Sequence, residues 1–340
     1  MNAQIPVPVL RSPEHLMAAI PFLLGFRPRA SVVIVWIHSG AIALTQRVDW
    51  PELVGEQQIQ EWASSVVRAA RHVNAQGVVL IGYPEFHHQD QIDLSAVPLA
   101  AIGQALTGGG TEVLDAIIVL EDGWCALDAE CAEGPVGVQP FDQLIAAEVS
   151  DDFMFSGWSF AADRAEVCAE FVADEGAPRV AVEALDRKAS ELSEMPAQDL
   201  EQWRDDVIPR LLAAFKAGSV LPREYVDLAS GLTDIRVRDS VLWHVAKQLD
   251  AATSLLGLRV LVRVLPEGRR APSATVASIC AWLAGDGVRA SAALDIALQD
   301  EPEYGLAQLV ATALSNGLPP RTWQETMEHL SYEHCRYGLC

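Results

Sequence analysis

The sequence predicts an α/β N-terminal domain, built on a mixed sheet with a central hairpin and helices on both faces, followed by an all-α helical domain. Three observations carry that expectation. Between Leu10 and Leu127 short β-branched runs alternate with stretches of helical period; from Ala129 to Gly157 the pattern gives way to Gly, Pro and acidic residues; beyond Gly157 strand signals nearly vanish. The expected domains are therefore 1–157 and 158–340, with 129–157 an irregular linker region at the end of the first.

Leu10 to Pro51 is the strongest local signal. Ser12 can cap a helix that has Pro13 in its first position, Leu16, Met17, Ile20, Leu23 and Leu24 at helical spacing, and Gly25 as its stop. Val32 to Ile37 is short, β-branched and without a polar face, so it reads as a central strand covered on both sides. Ser39-Gly40 separates it from the alternating Ile42, Leu44 and Val48, which makes a hairpin. Ile59 to Val73 carries one apolar helical face, Gly77 to Gly82 is a buried strand, and Leu94 to Leu106 is a helix. Val113 to Leu120 and Trp124 to Leu127 are strands joined at Glu121-Asp122-Gly123. The second half reads as successive helices from Ala161 to Glu333, with Pro209 expected to break one amphipathic stretch into 197–207 and 209–217. Ala281 to Leu314 resembles a single tetratricopeptide-type hairpin, in which Ala290, Ala293 and Ala297 let neighbouring helices approach closely. No second copy follows at that period, so an ordinary helical bundle is the competing reading.

Composition narrows the function. A formal net charge of −22, from 24 Lys plus Arg against 46 Asp plus Glu, repels phosphate backbones and argues against nucleic acid binding. The apolar runs fall short of the roughly 20 residues that span a bilayer, so no membrane association is expected. Six cysteines scattered through a chain that needs no staples read as free thiols, and the expected location is cytoplasmic. No Walker A loop, G-x-S-x-G elbow, H-E-x-x-H, G-x-G-x-x-G or paired C-x-x-C is present. No catalytic residue, no metal ligand set and no cofactor is expected.

Polar residues at strand ends are the remaining candidates. Arg47 and Asp49 lie two apart, hence on one face of the returning strand, where a guanidinium and a carboxylate could orient a polar ligand or simply pair with each other. Glu85, His87 and His88 follow a buried strand, and the carboxyl ends of such strands line the crevices of α/β sheets. Arg47, Asp49, Glu85, His87 and His88 are thus the expected ligand-binding set, with Asp115 and Asp122 able to join a pocket with Glu85. His329, His334, Cys335 and Cys340 have a spacing only loosely like a zinc clip.

Several segments together resemble an uncharacterised actinobacterial family, the domain of unknown function 4192. These are LRSPEHLMAAIPFLLGFRPRASVVIV at the start, Arg47-Val48-Asp49-Trp50-Pro51, DAIIVLEDGW from Asp115 to Trp124, the helix carrying Arg238-Asp239 and Trp243, and Ala281 to Pro320. Similar members show a Trp- and Cys-rich, Pro-containing patch after the Asp-Gly turn. Here Trp124-Cys125 is followed by Leu127 and a lone Cys131. The resemblance implies no activity. The expectation is a non-catalytic binding protein whose helical half meets an unidentified protein partner. An enzyme or small-ligand sensor using the strand-end cleft is the alternative, and a structural homo-oligomer the second.

Overall fold

The computed structural model describes residues 10–51, 55–70, 73, 75–85, 92–127, 135–156, 158–173, 176 and 179–338. The chain divides into two compact units, Met1–Arg164 with Asn316–Leu318, and Ala165–Ser315 with Pro319–Cys340.

The first unit is a six-stranded mixed sheet with helices. Its elements are α1 (Pro13–Leu24), β1 (Ser31–His38), β2 (Ala41–Asp49), α2 (Glu56–Ala70), β3 (Gly77–Tyr83), α3 (Ile92–Gly108), β4 (Glu112–Val119), β5 (Trp124–Leu127), β6 (Pro135–Gln139) and α4 (Gln143–Phe155). The strand order is β2-β1-β3-β4-β5-β6, with β3 and β4 the parallel pair. The hairpin β1–β2 turns at Ser39 and Gly40, both with positive φ (52° and 75°), the backbone of a two-residue turn that matches strand twist. Its inner strand β1 is buried from Ser31 to Trp36 between β2 and β3, and β2 forms the edge.

One sheet face holds Val32, Ile34, Trp36, Val78, Leu80 and Ile118, which pack against Ile59, Ala63 and Val66 of α2 and Leu99, Ile102 and Leu106 of α3. Trp36 sits in this core with its indole N–H donated to Gln46 Oε1 at 3.1 Å. Helix α1 begins at an extended Ser12, whose hydroxyl accepts from the His15 amide, and ends at left-handed Gly25. It packs against α4 through Ala19, Phe22, Val149 and Phe153, with the Phe22 and Phe153 rings stacked at 4.9 Å.

The expected irregular linker between 129 and 157 fails on two elements. Residues 128–134 lie outside the described residues, but 135–139 form strand β6 and 143–155 form helix α4, so this stretch is no irregular linker. Strand β6 is five residues at a sheet edge and contains Pro135 and Gly137, which mask a strand in sequence yet are tolerated where only one neighbour pairs. Helix α4 is capped by Asp142, whose carboxylate accepts from the Leu144 and Ile145 amides.

The second unit is helical: α5 (Arg164–Ala169), α6 (Val182–Glu194), α7 (Ala197–Ala217), α8 (Tyr225–Thr233), α9 (Ile235–Lys247), α10 (Ala251–Val264), α11 (Ala271–Leu283), α12 (Gly287–Asp300), α13 (Gly305–Ser315), α14 (Pro320–Glu328) and α15 (Tyr332–Tyr337). Helix α11 is buried around its whole circumference from Ser273 to Trp282, as befits a central helix. Ala290, Ala293 and Ala297 are fully buried on α12, and Ser278 of α11 donates to the Ala290 carbonyl at 2.7 Å. Pro209 does not break its helix: α7 runs through it. An interior proline costs about 3 kcal/mol. Burial of Val207, Ile208, Leu211 and Phe215 on the same helix, each contributing about 1.5–3 kcal/mol, outweighs that cost. Ion pairs tie the unit together. Arg289 grips Glu170 with two donors at 2.6 and 2.8 Å, and Arg336, only 1% exposed, pairs with Glu201 and Asp205.

Candidate functional site

Side chains alternate across the sheet, so register decides which residues share the face toward α1. Val35 lies opposite both Thr45 and Val79, and Val79 lies opposite Asp115. The last assignment depends on an irregularity. Val78 pairs with Val113 and Val79 with Asp115, so Leu114 is an extra residue on β4, a β-bulge. With unbroken pairing Leu114 would face Val79, and Asp115 would point into the α2–α3 core beside Val78 and Leu80. The bulge turns Leu114 outward over Gly77, where a Cβ would come within 2.8 Å of the Leu114 side chain. It also brings the Asp115 carboxyl onto the α1 face.

On that face lies an open cavity of about 250 Å³. Its walls are Leu10, Pro13 and Leu16 from the start of α1, Val35, Ile37, Val79 and Ile117 from the central strands, and Gly40, Ala41 and Ile42 from the hairpin. Ser12 and Asp115 are its polar side chains. The Ser12 hydroxyl is engaged at the helix cap, 2.8 Å from His15 Nδ1. Asp115 accepts one hydrogen bond among the described residues, from the Ala116 amide at 2.9 Å. Burial raises the pKa of its carboxyl above the ordinary carboxylate value, and the Ala116 hydrogen bond opposes this only in part. The cavity therefore presents aliphatic walls and one incompletely solvated carboxyl. That combination suits a small apolar molecule carrying a cationic or strongly donating group.

The strand-end set expected from sequence is placed differently. Ser31 lies opposite Asp49 on one side and Tyr83 on the other, so Asp49 and the end of β3 sit at one end of the sheet, two strand spacings or about 10 Å apart. Arg47 pairs with Asp49 at 2.5 Å and reaches the Arg29 carbonyl at 3.4 Å. It is turned toward its own strand and the start of β1. Glu85 is exposed beyond β3, and His87 and His88 lie outside the described residues. Asp115 does not join Glu85. Its neighbour Val79 is six residues before Glu85, about 20 Å along the strand, at the other end of the sheet. Asp122 belongs to the turn closed by the Leu120 amide on the Gly123 carbonyl. At the C-terminus Cys335 is buried and Cys340 lies outside the described residues. Among the described residues no group of three or more His, Cys, Asp or Glu is placed to hold a metal ion.

A family model described as Domain of unknown function (DUF4192) matches residues 13–321, from the first turn of α1 into α14. The chain belongs to this family. No curated protein and no solved structure matches it. Within this DUF4192 chain the match takes in Leu16 of α1, the whole hairpin and Asp115, so the cavity lies almost entirely inside the family's extent. Among the described residues no helix is long and apolar enough to cross a membrane.

The signal that singles out Asp115 in the sequence is its position, a β-disfavoured acid at the start of the apolar strand DAIIV, but the pocket it joins is not the one with Glu85. The bulge that aims it has no mark in the sequence.

Proposed function

We propose that this protein is a non-catalytic, cytoplasmic binding protein whose α/β unit takes a small, largely apolar primary amine in the Asp115 cavity. The supporting observation is the β4 bulge, which places a half-buried carboxyl against aliphatic walls at a mouth that opens to solvent. An ammonium group at Asp115 restores to the carboxylate the partner that burial removes, and the apolar body gains from contact with Leu16, Val35, Ile42 and Ile117. A carboxylate facing aliphatic walls orients a cationic ligand and neutralises its charge. The described cysteines are free, and burial pushes the thiols of Cys125, Cys280 and Cys335 up in pKa, which supports unreactive thiols in a reducing compartment.

Calorimetric titration of the full chain with phenethylamine, beside its neutral isostere phenethyl alcohol, tests this. The expected result is saturable 1:1 binding of the amine with a clear preference over the alcohol. Equal binding of the two compounds, or no saturable heat from either, overturns the reading.

A further inference from the structure

Among the described residues, helix α4 presents to solvent a face that the rest of its unit leaves uncovered. Its inner side, Ile145, Val149 and Phe153, packs on α1. Its outer side carries Leu144, Glu148, Asp151 and Phe155 at i, i+4, i+7 and i+11, one stripe of a helix. Leu144 is 82% exposed and Phe155 is 89% exposed, and Met154 and Trp158 extend the apolar surface at the C-terminal end. Leu144 and Phe155 stand about 16 Å apart along the helix with Glu148 and Asp151 between them, so the stripe offers two apolar anchor points flanking two acids.

The charge that α4 itself presents to solvent is one-sided, while Arg27 lies over the Phe160 ring on the side packed against α1. From His72 to Asp163 there is no lysine or arginine, against fifteen aspartates and glutamates. Glu148, Asp151 and Asp152 of α4 are all exposed. A second copy of the chain would bring the same negative field against itself, and an anionic lipid surface would be repelled. A cationic segment would be attracted.

We infer that the outer face of α4 docks a cationic amphipathic helix of a protein partner. Apolar side chains of the partner cover Leu144 and Phe155, and its lysines or arginines meet Glu148 and Asp151. The surface is remote in composition from the Asp115 cavity and does not depend on that cavity being occupied.

The test is fluorescence anisotropy of the full chain with a labelled amphipathic Lys/Leu helix of fourteen residues, beside a scrambled peptide of the same composition that lacks an apolar face. The wild-type chain is expected to bind the amphipathic peptide at least tenfold more tightly than the scrambled one. Phe155→Ser with Leu144→Ser should remove that preference, and Glu148→Lys with Asp151→Lys should weaken binding at least tenfold. All four side chains are exposed, so circular dichroism should show unchanged folding. Equal binding of the two peptides, or full retention of the preference in Phe155→Ser/Leu144→Ser, overturns the inference. Concentration-dependent dimerisation that the same serine pair abolishes also overturns it, since a second copy then covers the face.

Discussion

Asp115→Asn isolates the group on which the cavity reading turns. Asparagine keeps the shape of the side chain and can still accept from the Ala116 amide, but it removes the negative charge facing the cavity. A hydrogen bond to a charged group contributes about 1.5–3 kcal/mol when shielded, against about 0–1 kcal/mol for an exposed pair. Asp115 is half-buried among aliphatic walls. A loss of about 2 kcal/mol follows, or about thirtyfold in Kd. Phenethyl alcohol should bind the two proteins alike. The pH dependence has a fixed sign: burial raises the Asp115 pKa in the folded chain, so amine binding should weaken as pH falls through that raised value, because the ammonium must then displace a proton. Stability has its own sign. A carboxyl whose folded pKa lies above its unfolded value stabilises the fold at acid pH, and that contribution is lost as pH rises through the folded pKa. Asp115→Asn should therefore be at least as stable as the parent at neutral pH, with the difference fading on acidification. Calorimetric titration at several pH values, with thermal unfolding alongside, reads both effects. Equal amine affinity in parent and variant refutes the reasoning.

Three further outcomes follow from the packing. Asp300 is nearly buried and accepts from the Gly268 and Arg270 amides and from the Arg270 guanidinium at 2.6 and 3.0 Å. Burial pushes its pKa up, but these donors and the Arg270 charge hold it below the usual carboxylate range. Its stabilisation is present at neutral pH and lost as pH falls through that lowered value. Asp300→Asn should cost about 3 kcal/mol at pH 7 in urea unfolding and should flatten the acid limb of the stability profile. Gln46→Leu removes the acceptor of the buried Trp36 indole and should cost about 1–2 kcal/mol, with a shift in tryptophan emission. Ser12→Ala removes the cap of α1 and should lower stability by about 1 kcal/mol in thermal unfolding.

Local chemistry was enough to read much of the first unit from its residues. Ser12, Pro13 and Gly25 set the ends of α1 because a hydroxyl, a fixed φ and a left-handed glycine act within a turn or two of themselves. Ser39-Gly40 likewise made the hairpin legible, and the continuous apolar run of β1 foretold a strand covered on both sides. What depends on partners distant in sequence was hidden. Strand β6 exists because β5 is there to pair with it. Helix α7 survives Pro209 because tertiary burial exceeds a local penalty. The candidate site shows the same division. Residue type made Asp115, Arg47 and Asp49 conspicuous, but it could not say that Arg47 turns to Asp49 or that Asp115 lies the length of a strand from Glu85. The sequence by itself determined that a capped helix and a hairpin open the chain and that an acid interrupts an apolar strand. Only the pairing of β3 with β4 decided which face that acid occupies, because one extra residue in a two-residue repeat exchanges the core side of a strand for the cavity side.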